Sequence, residues 1–421
     1  MRLDQLHIQN FRCYEDATFD FQPGFNLVVG VNGSGKTSLL QAVAASLYSF
    51  SSSLGGAALQ ISNQDARFEI QEFEGRYRFE RIYPVTLDAV GSAFGRAAWN
   101  ESLVREGQLK VFDIPVLNSS IDILNPSSKK IVDLPLMAFY RADRRWNSSD
   151  ISVEFAARQQ PSRLDAYKDW FDASANLETF ESWLIGKTLE RLQKMSRSTA
   201  SPKFNDELQL INSALTHALP DAKGIEYDLG IRSLLVHFEN NRSLTFNSLS
   251  DGQRGMLAMV SDIARRMCLL NPHLKNKVLE ETTGIVIIDE LDIHLHPGWQ
   301  RTIASTLKKL FPKIQFIAAS HSPQIIGSLR PGEVILLTNE SPSHPRVTYG
   351  LDSSRILEEV MGVSEREPKV EVLLSELFST IEDNELEKAK TQLQALKKLA
   401  PDLPEFAGAQ ALIRRKEILG K

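Results

Sequence analysis

Gly30-Val31-Asn32-Gly33-Ser34-Gly35-Lys36-Thr37 is the stretch on which the fold turns. It fits Gly-x-x-x-x-Gly-Lys-Ser/Thr, with an apolar strand pattern before it (Phe25, Leu27, Val28, Val29) and an amphipathic helical pattern after it (Leu39, Leu40, Val43, Leu47). This is the context a triphosphate site requires. The loop from Asn32 through Gly33, Ser34 and Gly35 to Ser38 can turn its N–H groups onto phosphates, and the helix N-terminus adds the positive end of its dipole. Lys36 reaches the outer phosphates, and the Thr37 hydroxyl is a Mg²⁺ ligand. Taken alone, the loop could also be a glycine-rich turn without a ligand.

Three later segments argue against that alternative. Ile285-Val286-Ile287-Ile288 has the unbroken apolar character of a strand buried on both faces, and it ends in Asp289-Glu290. Two carboxylates at the end of a central strand are costly to bury without a cation or a shared proton. Asp289 is read as a Mg²⁺ holder and Glu290 as the general base that polarises the attacking water. Leu249-Ser250-Asp251-Gly252-Gln253 opens a helical pattern through Met256, Val260, Ile263 and Met267; by itself it is an ordinary turn and N-cap. Ile314 to Ala319 reads as another buried strand, closing on Ser320-His321-Ser322-Pro323.

In this order the motifs resemble those of ABC-type ATPases of the SMC and RecF branch. Within that branch the likeness is to compact bacterial proteins of phage defence, of the overcoming-lysogenization-defect or Septu type. Leu249 to Gln253 matches the LSGGQ signature with one change, Asp251 for Gly, and His321 stands where the switch histidine would contact the γ-phosphate. Leu6 to Arg12 resembles the branch's N-terminal strand, whose Asn-Phe-Arg end leads Arg12 towards the adenine pocket. Asp289 to Gln300 resembles its extended Walker B segment. The likeness spans the first 350 residues by motif order and is weak between motifs.

The resemblance implies an α/β P-loop fold of ABC/SMC-head type: a mixed central sheet, an N-terminal antiparallel β lobe and an inserted helical subdomain. It also implies ATP and Mg²⁺ as cofactors. Two heads would sandwich two nucleotides, with Ser250, Gly252 and Gln253 of one copy completing the site of the other, as a homodimer or higher oligomer. There are departures. His296 replaces the usual D-loop aspartate. No Q-loop stands out; Gln64, beside Asp65, is the candidate for that Mg²⁺-side role. His294 and His296 have a metal-like H-x-H spacing, although the family places them in the dimer-facing loop.

The chain has 421 residues, of which 42% are hydrophobic, enough for a substantial core and against a disordered chain. Two cysteines, Cys13 and Cys268, give neither a metal-binding spacing nor a disulfide framework. No secretory segment follows Met1 and no apolar stretch of spanning length occurs. A soluble, cytoplasmic protein with no membrane partner is expected. The net charge of −5 argues against general electrostatic binding of nucleic acid. Contact with DNA or RNA would need a local basic patch. Arg141, Arg144 and Arg145, beside Tyr140 and Trp146, form the densest one. It follows an apolar strand, so one of these arginines could equally face the nucleotide or an acidic partner, and a solvated turn is the plain alternative.

Residues 1–84 read as the first half of the ATPase head, with Phe68, Ile70, Tyr77 and Phe79 alternating as in a hairpin. Residues 85–230 read as an insertion: loops and short strands to 133, including a Ser-rich tract from Ser119 to Ser128, then helices marked by Leu164, Tyr167, Trp170, Phe180, Trp183, Leu208 and Ile211. No sustained heptads occur, so a long coiled-coil arm is excluded. Residues 231–350 form the second half of the head. Residues 351–421 are a charged helical tail whose apolar spacing suits docking on the core or on a partner.

The tail lacks the acidic strand ends of a Toprim nuclease, so a built-in nuclease is not expected. The resemblance then implies an effector nuclease supplied in trans, of HNH or Toprim type, under the control of ATP state. A RecF-like repair ATPase clamping DNA is the alternative. A transporter subunit fits less well, because the signature begins 213 residues after Lys36 with a helical insert between.

Overall fold

The structure is a computed structural model describing residues 1–421 apart from 57–58, 74–75, 111–131, 145–150, 160, 198–205, 220, 240, 365 and 420–421. The Ser-rich tract, Arg145 and Trp146 lie outside the described residues. Two units are present, Met1–Asp352 and Ser353–Lys421.

The first unit is organised by a six-stranded sheet in the order β16-β15-β3-β14-β13-β9. Strands β3 (Phe25–Val29), β9 (Leu136–Tyr140), β13 (Gly284–Ile288), β14 (Ile314–Ala319) and β15 (Val334–Thr338) run parallel, and β16 (Ser341–Ser343) closes the edge antiparallel. Every residue of β3, β9, β13 and β14 is buried, which is why their sequences are nearly continuous apolar runs, broken only by Asn26 and Gln315, rather than alternations. Parallel register brings the C-terminal ends of β3, β14 and β13 to one edge. The phosphate-binding loop, the histidine turn and the acidic pair therefore emerge side by side.

A second, antiparallel sheet has the order β2-β1-β6-β7-β8, built from β1 (Arg2–Phe11), β2 (Tyr14–Asp20), β6 (Val85–Ala93), β7 (Arg96–Arg105) and β8 (Gln108–Lys110). The insertion expected from residue 85 is corrected here. β6 pairs along β1 from Arg2↔Ser92 to Gln9↔Thr86, so residues 85–110 complete the N-terminal lobe. Glycines and polar outward positions make that segment look loop-like, while Val85, Leu87, Ala89 and Ala93 supply its buried face.

The helix Lys36–Ser46 lies between the two sheets, against β1, β6 and β7 on one side and β13 and β14 on the other. This explains a helix buried nearly all round, with Ala42, Ala44 and Ala45 among its covered residues, where the apolar spacing suggested a single buried stripe. Gln315 on β14 joins the sheets. It accepts the Leu3 N–H at 2.8 Å and donates to the Leu3 carbonyl at 2.7 Å.

The hairpin β4 (Phe68–Phe73) and β5 (Arg76–Arg81) forms as its alternation suggests, but Phe68, Ile70, Tyr77 and Phe79 stay at least half exposed. A small sheet of β10 (Ala222–Asp228), β11 (Ser233–Phe238) and β12 (Ser243–Thr245) leads into the helix Asp251–Leu270. In the helical region, Leu164 to Tyr167 and Trp170 to Asn176 lie in 3₁₀ turns, and longer α-helices follow at Leu177–Arg197 and Glu207–Ala218.

In the second unit, the helices Pro368–Glu382, Leu386–Leu399 and Glu405–Leu419 pack on one another. Leu377, Ile381, Leu396, Phe406 and Ala409 are among the buried residues of their common core. The apolar faces read from the tail sequence thus cover each other.

Candidate functional site

A cleft of ≈ 470 Å³ at the C-terminal edge of the central sheet gathers four parts. The loop contributes Asn32, Gly33, Gly35, Lys36, Thr37 and Ser38; the segment after β13 contributes Asp289 and Glu290; the segment after β14 contributes Ser320 and His321; Cys13 closes one side. The size is that of a small-ligand site.

The loop conformation depends on glycine. Gly35 has φ +98, and a Cβ there would meet the Tyr14 hydroxyl at 2.6 Å and the Cys13 sulfur at 2.9 Å. Tyr14 in turn donates its hydroxyl to the Gly35 carbonyl at 3.0 Å. The Lys36 ammonium donates to the carbonyls of Gly30 at 3.0 Å and Val31 at 2.9 Å. Burial lowers its pKa, and the nearby Asp289 and Glu290 work against that shift. Ser34 Oγ is buried beneath the loop with no hydrogen-bond partner.

The Thr37 hydroxyl donates to Asp289 Oδ2 at 3.0 Å. A hydroxyl and a carboxylate adjoining the loop are the hard oxygen donors Mg²⁺ selects, and the anion-binding loop beside them suits a polyphosphate. These residues fit both groups. Thr37 and Asp289 would hold the metal, which would supply positive charge to offset that of the phosphates.

Glu290 carries its carboxylate on a backbone with φ +47, a region a non-glycine residue enters only when its surroundings hold it there. Its N–H donates to Asp289 Oδ1 at 3.1 Å. His321 has its pKa lowered by burial and then by Lys36, partly offset by Asp292, Glu290 and Asp289, so the ring is held towards its neutral form. Its turn is fixed by neighbours: Ser320 donates to Asp292 at 2.5 Å, and Ser322 donates to Gln300 at 2.7 Å. Gln300 donates onward to the Leu295 carbonyl at 2.9 Å. These bonds tie the histidine turn to the segment after the acidic pair.

The signature residues lie elsewhere. Ser250 caps the helix Asp251–Leu270 in a capping box with Gln253, whose side chain accepts the Ser250 N–H at 3.1 Å. Ser250 and Asp251 are exposed, and neither they nor Gly252 and Gln253 line the cleft. Asp251 pairs with Arg254 within the first turn, which holds its carboxyl below the usual range. Gly252 is buried against the segment after the acidic pair, where a Cβ would meet the His294 carbonyl oxygen at 2.3 Å.

Arg12 and Gln64 are not among the cleft-lining residues. Arg12 is paired with Asp65, at 2.8 Å from Nε and 2.7 Å from Nη2, and Gln64 is exposed. His296 Nδ1 accepts the Gly298 N–H at 3.2 Å, acting as a helix cap. Among the described residues no group of three His, Cys, Asp or Glu suits a metal ion. No helix among them is long and apolar enough to cross a membrane.

Sequence reasoning left one residue unassigned that the geometry brings to the site. Arg144, just past β9, donates to the carbonyl oxygens of Asp289 at 2.5 Å and Glu290 at 2.8 Å. The signal was present in the arginine-rich segment after an apolar strand. What was missing was the knowledge that β9 pairs with β13.

A family model described as an AAA domain matches residues 5–222, just over half of the chain, and the chain belongs to that family. It is an ATPase of the SMC and RecF kind, similar to those of bacterial defence systems. Among its curated relatives, the Retron Ec83 probable ATPase of Escherichia coli is 27% identical over 88% of this chain and 78% of its own length. The Septu protein PtuA of Bacillus thuringiensis is 22% identical over 92% of this chain and 91% of its own. Among solved structures, the SMC head domain from Thermotoga maritima aligns with a TM-score of 0.37 at 13% identity, over 82% of this chain and 98% of that one.

Proposed function

We propose that two copies of this chain close around two ATP-Mg²⁺, each supplying Ser250, Gly252 and Gln253 to the other's cleft, and that the ATP state controls a separate effector nuclease in anti-phage defence. The observation that carries the reading is the split between cleft and signature. One copy gathers the loop, Asp289, Glu290 and His321 in one place, while Ser250 is exposed on a helix outside that lining.

Within the site, Lys36 and the loop N–H groups bind the phosphates, and Thr37 and Asp289 hold the metal. Glu290 takes the proton of the attacking water, and His321 in its neutral form contacts the terminal phosphate. Positioned charge and a poised base are what phosphoryl transfer to water needs. The defence role is supported by the names of the relatives, retron and Septu. A cytoplasmic location follows from the same reading.

The test uses Glu290→Gln, which keeps the shape but removes the base. With ATP and Mg²⁺ this variant should stay associated and hydrolyse nothing, and adding Ser250→Arg should return it to single copies while nucleotide still binds. A Glu290→Gln, Ser250→Arg protein that associates as before by light scattering would rule out the shared site. For the effector, the tagged chain is purified from its host with neighbouring genes retained. A nuclease that co-elutes, changing with nucleotide, supports the assignment; ATP-dependent DNA binding without a nuclease favours a repair role.

A further inference from the structure

The backbone at Glu290 is strained and the residue is exposed, so something must hold its carboxylate in place. Its φ of +47 lies in the left-handed region, where a side chain other than glycine costs of the order of 1 kcal/mol or more. The strain falls on the junction between β13 and the following loop. Burial of β13 fixes the strand side alone.

On the loop side the Leu291 N–H donates to the Ala319 carbonyl at 2.8 Å and the Ile293 N–H to the Glu290 carbonyl at 3.1 Å, and Arg144 supplies a side-chain restraint beside them. Its two terminal nitrogens span Glu290, taking the Asp289 carbonyl at 2.5 Å and the Glu290 carbonyl at 2.8 Å. A third bond from Nη1 to the Arg141 carbonyl at 3.1 Å locks the guanidinium to its own turn. That turn directly follows β9, which pairs with β13 from Gly284↔Leu136 to Ile288↔Tyr140. Asp289 continues the ladder by donating its N–H to the Tyr140 carbonyl at 2.8 Å. The planar fork therefore reads two successive carbonyls from a rigid neighbour, a task a single ammonium does not perform. Arg144 also lines a separate cavity of ≈ 220 Å³ with Asp251, Arg254 and His294, so it stands between the acidic pair and the signature helix of its own copy.

We infer that Arg144 is a positioning residue for ATP hydrolysis, holding the Asp289-Glu290 backbone so that the Glu290 carboxylate meets the attacking water. The inference rests on Glu290 acting as the base. Arg144 touches neither nucleotide nor water in this role. Its loss should lower the rate of the chemical step and leave nucleotide affinity in place, because Lys36 and the loop stay as they are.

The experiment compares wild type, Arg144→Ala, Arg144→Lys, Glu290→Gln and the Arg144→Ala, Glu290→Gln pair. A misplaced reacting group costs about 100-fold, so Arg144→Ala should lose roughly that factor in kcat, with KM and the affinity for a fluorescent ATP analogue within about twofold. Arg144→Lys should recover only part of the rate. Millimolar guanidinium chloride should restore Arg144→Ala activity, and sodium chloride at equal strength should not. In the Glu290→Gln background the alanine should cost nothing further. If Glu290→Gln still hydrolyses ATP at the wild-type rate, the base assignment fails and this inference with it. If Glu290→Gln is inactive while Arg144→Ala turns over normally, or loses affinity and rate together with no rescue, the positioning role alone is overturned.

Discussion

Thr37 and Asp289, 252 residues apart in the chain, share a hydrogen bond of 3.0 Å from hydroxyl to carboxylate. One opens the helix behind the phosphate-binding loop; the other ends β13 two strands away, with β14 between them. Their contact joins the helix behind the phosphate-binding loop to the acidic pair. Together the hydroxyl and the carboxylate would hold Mg²⁺.

The first prediction concerns that pair. Thr37→Val removes the hydroxyl with little change of shape, so the Mg²⁺ concentration giving half-maximal ATPase should rise by about tenfold or more, the usual effect of losing a ligand or its support. Thr37→Ser should stay near wild type. The check is a Mg²⁺ titration at fixed ATP, and an unchanged requirement in Thr37→Val would remove the residue from the metal site.

The second concerns Glu101, which is only 1% exposed. It accepts the Ser49 N–H at 2.9 Å beyond the end of the loop helix, and its other oxygen has no partner. Burial pushes its carboxyl pKa up from 4.5 to about 7, with the bonds from Ser49 opposing. The folded protein therefore binds this proton more tightly than the unfolded chain. The resulting stability is complete below pH 4.5 and is lost as pH rises through 7. Glutamine keeps the bond to Ser49 and cannot ionise. Glu101→Gln should thus gain over wild type as pH rises from 5 to 8, by on the order of 3 kcal/mol at most, read as the difference between denaturation midpoints at each pH. Parallel pH profiles for the two proteins would contradict the assignment.

These examples show what the sequence makes legible. β3, β13 and β14 were readable because strands buried on both faces are largely apolar, with Asn26 and Gln315 the buried polar exceptions, and Lys36, Thr37, Asp289 and His321 lie just past those strands. β6 and β7 were harder, since many of their outward positions are polar, Gly91 inside β6 mimics loop punctuation and Gly95 marks the true turn between them; only pairing with β1 reveals them as sheet. The helix Lys36–Ser46 looked one-sided because alanine counts weakly in a pattern, although Ala42, Ala44 and Ala45 are fully covered. Arg144 was visible as a charge, but its role depends on strand order, which no local pattern encodes. The same is true of Gly252, whose need for hydrogen in place of a side chain is set by the distant His294 carbonyl.

The last prediction concerns a buried ionic cluster between β9 and the signature helix. Asp262, Arg265 and Arg266 are each at most 2% exposed. Asp262 binds Arg265 at 2.7 Å through one oxygen and Arg266 at 2.7 Å through the other. It also accepts the Tyr140 hydroxyl at 2.9 Å, and Arg266 donates to the Ala166 carbonyl at 2.6 Å. The paired arginines hold the Asp262 carboxyl below its ordinary pKa against the effect of burial. Removing the shared anion strands two buried cations, so Asp262→Ala should destabilise the first unit by about 3–5 kcal/mol. Tyr140→Phe removes one bond to a carboxylate that keeps both arginines, and should cost about 1.5–3 kcal/mol. Urea denaturation followed by tryptophan fluorescence can separate the two, because Trp170 and Trp183 lie in the first unit. Equal losses would mean that the tyrosine, and not the ion cluster, joins the signature helix to β9, which the turn carrying Arg144 follows.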